Sequence, residues 1–185
     1  MSKERLTQAV DLAYAAMMRK VNGGRIVVET EASLQLQFAS MLKVVGELLE
    51  AERDEFFTIE LEKPITHAEA LFGKSGSDRA KIDVYCAFTN ASTKEKHGCA
   101  IEMKFFKKKN QREPNNRYDV FADLHNLENY GAIADQCFMI VATDHPHYVT
   151  WDQYSKDTCD FDFRHGGSYA AGTTATYRTM NHTRT

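Results

Sequence analysis

Apolar residues recur along the chain in two rhythms, and the switch between them lays out its elements. From Lys3 to Lys20, Leu6, Val10, Ala13 and Met17 return at the spacing of one helix face. Asn22-Gly23-Gly24 closes that helix, glycine being the usual left-handed residue at a helix end. A second helix is predicted from Glu31 to Arg53, with Thr30 as N-cap and Leu34, Phe38, Met41, Val45 and Leu48 as its inward stripe. The rhythm then shortens to two. Phe56 to Leu61 alternates as a strand that Pro64 ends, and Lys81 to Phe88 and Cys99 to Phe106 are strands rich in β-branched and aromatic residues, joined by the polar loop Asn90 to Gly98. A helix from Tyr118 to Gln136, with Val120, Leu124, Leu127, Gly131 and Ala134 on one face, leads into Cys137 to Ala142. That continuous apolar run reads as a strand buried on both sides, and strand, helix, strand reads as a right-handed parallel crossover. Cys159 to Arg164 alternates again, and Gly166-Gly167 is expected to turn it into a second strand from Ser168 to Tyr177, a hairpin that extends the sheet or reaches toward a ligand.

The two strands at the centre carry charge where packing alone would not put it. Glu102 and Lys104 share a strand face with Ala100 and Phe106, while Ile101, Met103 and Phe105 take the core face. If the strands pair, Asp83 lies beside Glu102 and Lys104. Two carboxylates and an ammonium on one sheet surface suit a metal ion and an activated water, with an internal salt bridge as the bland alternative. Glu31 stands at the head of the inward stripe of the second helix with Gln35 close by. An acid there is costly without a partner, although a first-turn acid also suits the helix dipole.

At these residues the chain resembles the PD-(D/E)XK nuclease superfamily. Asp83 matches the first acid, Glu102-Met103-Lys104 matches the acid-any-lysine tripeptide, and Ile82 stands where the motif has proline. The resemblance covers roughly Thr30 to Ala142. It implies an α/β fold, a restriction-endonuclease-like mixed β-sheet core flanked by helices. A three-strand meander followed by a crossover is the core order of that fold. It further implies that Asp83 and Glu102, with the backbone carbonyl of Met103, hold Mg2+ or Mn2+. Glu31 would complete the site as the first-helix glutamate, and Lys104 would orient or deprotonate the water and offset charge. The implied activity is metal-dependent endonucleolytic hydrolysis of phosphodiesters, with double-stranded DNA as the expected partner. Cutting both strands of a duplex asks for two active sites, which suggests a homodimer. The alternatives are a non-cleaving nucleic-acid-binding module on the same fold, or a partner-binding protein whose charges form an internal network. Intact acids and lysine favour cleavage.

Composition adjusts this picture in a few places. The chain has 185 residues, 43% hydrophobic and 26% charged, which suits one domain with a full core. The expected organisation is an N-terminal helix over 1–24, as cover or dimer surface, and a single nuclease-like domain over 25–185 with a C-terminal β-hairpin. No apolar run reaches the length of a membrane span and no signal-peptide pattern opens the chain, so a cytoplasmic protein is expected. Cys86, Cys99, Cys137 and Cys159 lack zinc spacing, and three lie in apolar strand-like runs, as buried free thiols do.

The net charge of −3 argues against coating nucleic acid by bulk electrostatics. Locally, Ile101 to Arg117 holds six Lys or Arg against two Glu, and no acid follows Arg164. Lys107, Lys108, Lys109 and Arg112 are therefore candidates for phosphate contact, with a solvated lysine face as the alternative. Arg164, Arg178 and Arg184 offer a second basic path. Lys74 and Arg79, in the loop from Thr66 to Arg79, are further candidates, although Gly73-Lys74-Ser75 lacks the context of a phosphate-binding loop. His145 and His147 flank a proline and lack a third ligand by spacing, as a structural pair does.

Overall fold

A computed structural model describes residues 2–65, 81–110, 112–150, 156–164, 166–178 and 182–184. The expected loop from Thr66 to Arg79, with Lys74 and Arg79, lies outside them. The chain forms two compact units, Met1–Met103 with Leu127–Ile140, and Lys104–Asn126 with Val141–Thr185.

In the first unit, α1 (Ser2–Asn22) buries Leu6, Ala9, Val10, Ala13 and Met17. Glu4 in its first turn and Arg19 and Lys20 in its last complement the helix dipole. Gly24 takes φ 66°, and the Arg25 N–H reaches back to the Lys20 carbonyl at 2.8 Å, closing the helix with a left-handed cap. In α2 (Glu31–Leu48) the Thr30 hydroxyl accepts the Ser33 N–H at 3.1 Å, as expected of the N-cap. The inward stripe differs from the expected one. It runs Leu34, Phe38, Leu42 and Gly46, and Leu48 stands 78% exposed. Gly46 explains the shift: a Cβ there would collide with the Phe57 ring, so the bare backbone is the contact surface. The helix stops before Arg53 because the segment after it is bonded otherwise. Ala51 N–H donates to Glu55 and Phe57 N–H to Glu50, each at 2.8 Å.

The sheet has four strands, β1 (Glu55–Pro64), β2 (Lys81–Asn90), β3 (Lys96–Phe106) and β4 (Gln136–Thr143), in that spatial order. The first three pair antiparallel as a meander. Asp135 N–H donates to the Gly98 carbonyl, and Asp144 N–H to the Phe106 carbonyl. Both bonds ascend together, so β4 runs parallel to β3 and the sheet is mixed. Phe57 and Phe88 meet on one face at 5.0 Å between centroids, and Arg5 of α1 lies 4.9 Å over Phe88. By strand alternation Asp83, Tyr85, Ala100 and Glu102 take the other face. Ala100 and Ile101 are both fully buried, so β3 is covered on both faces rather than on one core face. The expected double burial belongs to β2 and β3 and not to β4. β4 is the last strand of the sheet and only Ile140 within it is buried.

The second unit holds most of α3 (Glu113–Glu128), which starts about a turn before the expected Tyr118 and ends at Glu128, short of the expected Gln136. Pro114 sits in its first turn, where a fixed φ and a missing N–H cost nothing. The expected strand pair Cys159–Arg164 and Ser168–Tyr177 is not formed. Asp162 accepts the Arg164 N–H at 3.0 Å and Asp160 accepts the Thr176 N–H at 3.2 Å. These side chains offer the backbone an alternative to a ladder. β5 (Ala175–Tyr177) pairs instead with β6 (His182–Arg184), in a two-stranded sheet of its own rather than an extension of the first. Phe161, Ala175 and Tyr177 pack with Tyr118 and Phe121 to form this unit's aromatic core. Among the described residues no helix is long and apolar enough to cross a membrane.

Candidate active site

Asp83 sits where the sheet ladder is interrupted on both sides. Toward β1, pairing is regular at Leu61 with Val84 and at Lys63 with Ile82. Between them Glu62 adopts φ 52°, a left-handed conformation that costs a non-glycine residue of order 1 kcal/mol or more. The Asp83 carbonyl accepts the Gln35 Nε2 amide at 3.0 Å, and the same amide donates to Glu62 Oε1 at 3.0 Å. Toward β3, the backbone ladder runs from Thr89–Lys96 to Val84–Ile101. Beyond it Asp83 Oδ2 accepts the Met103 N–H at 2.7 Å. Side chains thus replace backbone bonds on both flanks, and Asp83 is held by α2 through Gln35 and by β3 through Met103.

Continuing the β2–β3 register by one residue sets Glu102 across from Asp83 on the same face. Glu102 is fully buried, and Tyr130 Oη donates to its Oε1 at 3.2 Å. A carboxylate withdrawn from water needs such donors. Glu31 lies one helical turn before Gln35, the residue that grips Asp83, so helix geometry puts it on the side of α2 that faces this end of β2. In the first unit Gln35 therefore links Asp83 to Glu62, Tyr130 holds Glu102, and Glu31 stands one helical turn before Gln35. Met103 contributes its amide to Asp83.

Lys104 follows Glu102 by two residues on β3, and its ammonium binds Asp123 Oδ2 of α3 at 2.7 Å. Asp119, one turn earlier on α3, has its carboxyl raised, burial outweighing the nearby charges of Arg112 and Lys104. Arg112 stands 3.9 Å from Asp119 with both side chains exposed. Lys108 and Lys109 are exposed too. Lys107 lies 5.5 Å over the Phe105 ring, and the Lys108 N–H is tied to Asp144 at 2.6 Å. The basic run is thus anchored by its backbone at Lys108, with Lys107 half-buried against Phe105 and Lys108 and Lys109 exposed. Of the second basic path, Arg164 is bound to Asp162 and Arg178 to Asp160. His147 pairs with Glu113 at 3.0 Å, and the His145 ring accepts the His147 N–H, a local structural role.

Asp123 and Tyr130 carry no motif, yet Asp123 left a trace in the sequence. It falls between Val120 and Leu127 at spacings of three and four, an acid inside an apolar stripe. Cys86 and Cys99 are buried, Cys137 is half-buried and Cys159 exposed. A neighbouring Cys86 and burial push the Cys99 thiol far up, so it stays protonated. Among the described residues no group of three or more His, Cys, Asp or Glu forms a ready-made metal cage. Asp83 and Glu102, as two oxygen donors, fit Mg2+ or Mn2+, which bind through one or two carboxylates and keep the remaining positions for water and phosphate.

Compared with protein-family models, with curated proteins and with solved structures, the chain matches none.

Proposed function

We propose that the protein is a metal-dependent endonuclease that hydrolyses phosphodiester bonds in double-stranded DNA, on a restriction-endonuclease-like core. The observation that carries this reading is the juxtaposition of Asp83 and Glu102 on neighbouring strands and one face, with the lysine of the acid-x-lysine tripeptide two residues on. The meander and parallel crossover support it, since they have the strand order that the resemblance implies.

In this reading Asp83 and Glu102 hold Mg2+ or Mn2+, with the Met103 carbonyl beside them and Glu31 at the margin. A bound ion supplies charge neutralisation at the phosphate and a more acidic water. The chain's own residues do the rest. Met103 and Gln35 fix Asp83 through its side chain and its carbonyl, and Tyr130 orients Glu102. Lys104, salt-bridged to Asp123, is a fixed positive charge, suited to offset the negative charge that builds at the phosphate rather than to accept a proton. Lys107, Lys108, Lys109 and Arg112 contact neighbouring phosphates and position the duplex without reading bases. A homodimer would bring the second active site that the opposite strand needs. Incubation with supercoiled plasmid and Mg2+ tests the proposal: the wild type nicks or linearises it and Asp83→Ala does not.

A second reading has an observation of its own. Glu102 is fully buried against Tyr130, and Lys104 is committed to Asp123. Charges so engaged also suit a non-cleaving module in which they form an internal network. In that case plasmid stays intact with wild type and variant alike, while both are expected to differ in stability.

A further inference from the structure

The first unit contains a cavity of about 410 Å³ lined by Lys63, Tyr85, Lys96, Gly98, Gly131 and Asp135, together with the three residues between the last two. Its size falls within the range of about 300–1,000 Å³ typical of small-molecule sites. The Nζ atoms of Lys63 and Lys96 both lie 5.0 Å from the Tyr85 ring centroid, so they are separated by twice that distance at most. Attraction to the ring face holds each ammonium beside Tyr85, at the mouth of this space.

Little negative charge is left to answer them. Lys63 pairs with Glu60 at 3.1 Å, but Glu60 is half exposed and such a pair exchanges cheaply. Lys96 is exposed and has no carboxylate partner among the described residues. Asp135, the acid of the lining, is already engaged by Lys3 at 3.1 Å, by the Gly98 N–H at 3.1 Å and by His97 at 3.4 Å. Burial pushes the Tyr85 phenol up to about 12, so it is neutral at physiological pH and donates to the Ile133 carbonyl at 3.2 Å.

Two glycines shape the space. A Cβ on Gly98 would collide with the Tyr85 hydroxyl, so glycine lets the ring lie across the strand. A Cβ on Gly131 would meet nothing within 4 Å, and its φ is not in the left-handed region, so a side chain there would enter open space without strain.

We propose that this cavity binds a phosphate monoester of nucleotide size, clamped by Lys63 and Lys96, with the room beside Gly131 left for the attached nucleoside. The chemistry is shared by a free nucleotide and by the phosphorylated end of a nucleic acid strand. Binding here needs neither a metal nor cleavage, so it stands or falls apart from the carboxylate pair.

Calorimetry in the presence of a chelator tests it, using adenosine 5′-monophosphate against adenosine, and a short single-stranded oligonucleotide with a 5′-phosphate against the same oligonucleotide with a 5′-hydroxyl. The phosphorylated member of at least one pair is expected to bind about tenfold tighter or more, as two charge-assisted contacts imply. A preference in the mononucleotide pair identifies a free nucleotide, and one confined to the oligonucleotide pair identifies a strand end. The double variant Lys63→Ala, Lys96→Ala should lose the preference. Gly131→Leu should weaken binding by filling the space, with thermal melting confirming that each variant is folded. Absence of preference in both pairs, or a preference that survives in the folded double variant, overturns the proposal.

Discussion

Asp83 holds the Met103 N–H with its own carboxylate, at 2.7 Å, where the β2–β3 backbone ladder ends. One side chain therefore serves as a strand connector and a candidate metal ligand, and the two roles respond differently to substitution. Asp83→Asn keeps an acceptor for the Met103 amide and should leave stability nearly unchanged. Asp83→Ala strands that amide and should cost about 1–3 kcal/mol. Both should abolish metal-dependent cleavage. Urea denaturation beside a plasmid assay reads the two effects separately.

The Lys104–Asp123 pair predicts a split between binding and turnover. Lys104→Ala should leave metal affinity largely intact and lower the cleavage rate. Asp123→Asn should lower it in the same direction by loosening the ammonium. Rate and metal titrations on both variants check this, and equal losses of metal affinity would assign Lys104 a different role.

Acid stability should depend on the Arg5–Glu55 pair, whose Nη2–Oε1 distance is 2.7 Å. The Arg5 hydrogen bond, opposed by burial, holds the Glu55 carboxyl below its usual value. A depressed carboxyl contributes stability that is present above the unfolded value and is lost as pH falls through the folded one. Arg5→Met should therefore destabilise the protein at neutral pH, by about 1.5–3 kcal/mol for a charge-assisted bond, and flatten the loss of stability on acidification below the usual glutamate range. Circular dichroism across an acid titration measures both.

Replacing Lys107, Lys108, Lys109 and Arg112 together with Ala should weaken binding to unrelated duplex sequences about equally. The slope of log affinity against log salt should flatten by up to about 0.9 for each phosphate that the variant no longer neutralises. Unchanged affinity and slope would leave the run a solvated face.

Much of the meander was legible because β2 and β3 alternate in β-branched and aromatic residues and because a polar loop separates them. The charged residues of β3 were visible as departures from that pattern. What surrounds them was not. The buried side of α3 carries Asn116, Arg117, Asp123 and Asn126 as well as Val120 and Leu127, so hydrophobic periodicity caught only the apolar part of that face and started the helix late. Gln35 was near the expected stripe, but its grip on the Asp83 carbonyl depends on the turned backbone at Glu62, which no propensity suggests. The C-terminal hairpin was misplaced because Asp160 and Asp162 bond to nearby backbone, a choice that alternation alone cannot register.

The central claim is that Asp83 and Glu102 together form a divalent-metal site. Titration of Mn2+ into the protein, followed by calorimetry, tests it without any choice of nucleic acid. The wild type should bind, and a double variant, Asp83→Asn with Glu102→Gln, should lose that binding while remaining folded by circular dichroism. Equal Mn2+ affinity in the wild type and the folded double variant would contradict the claim.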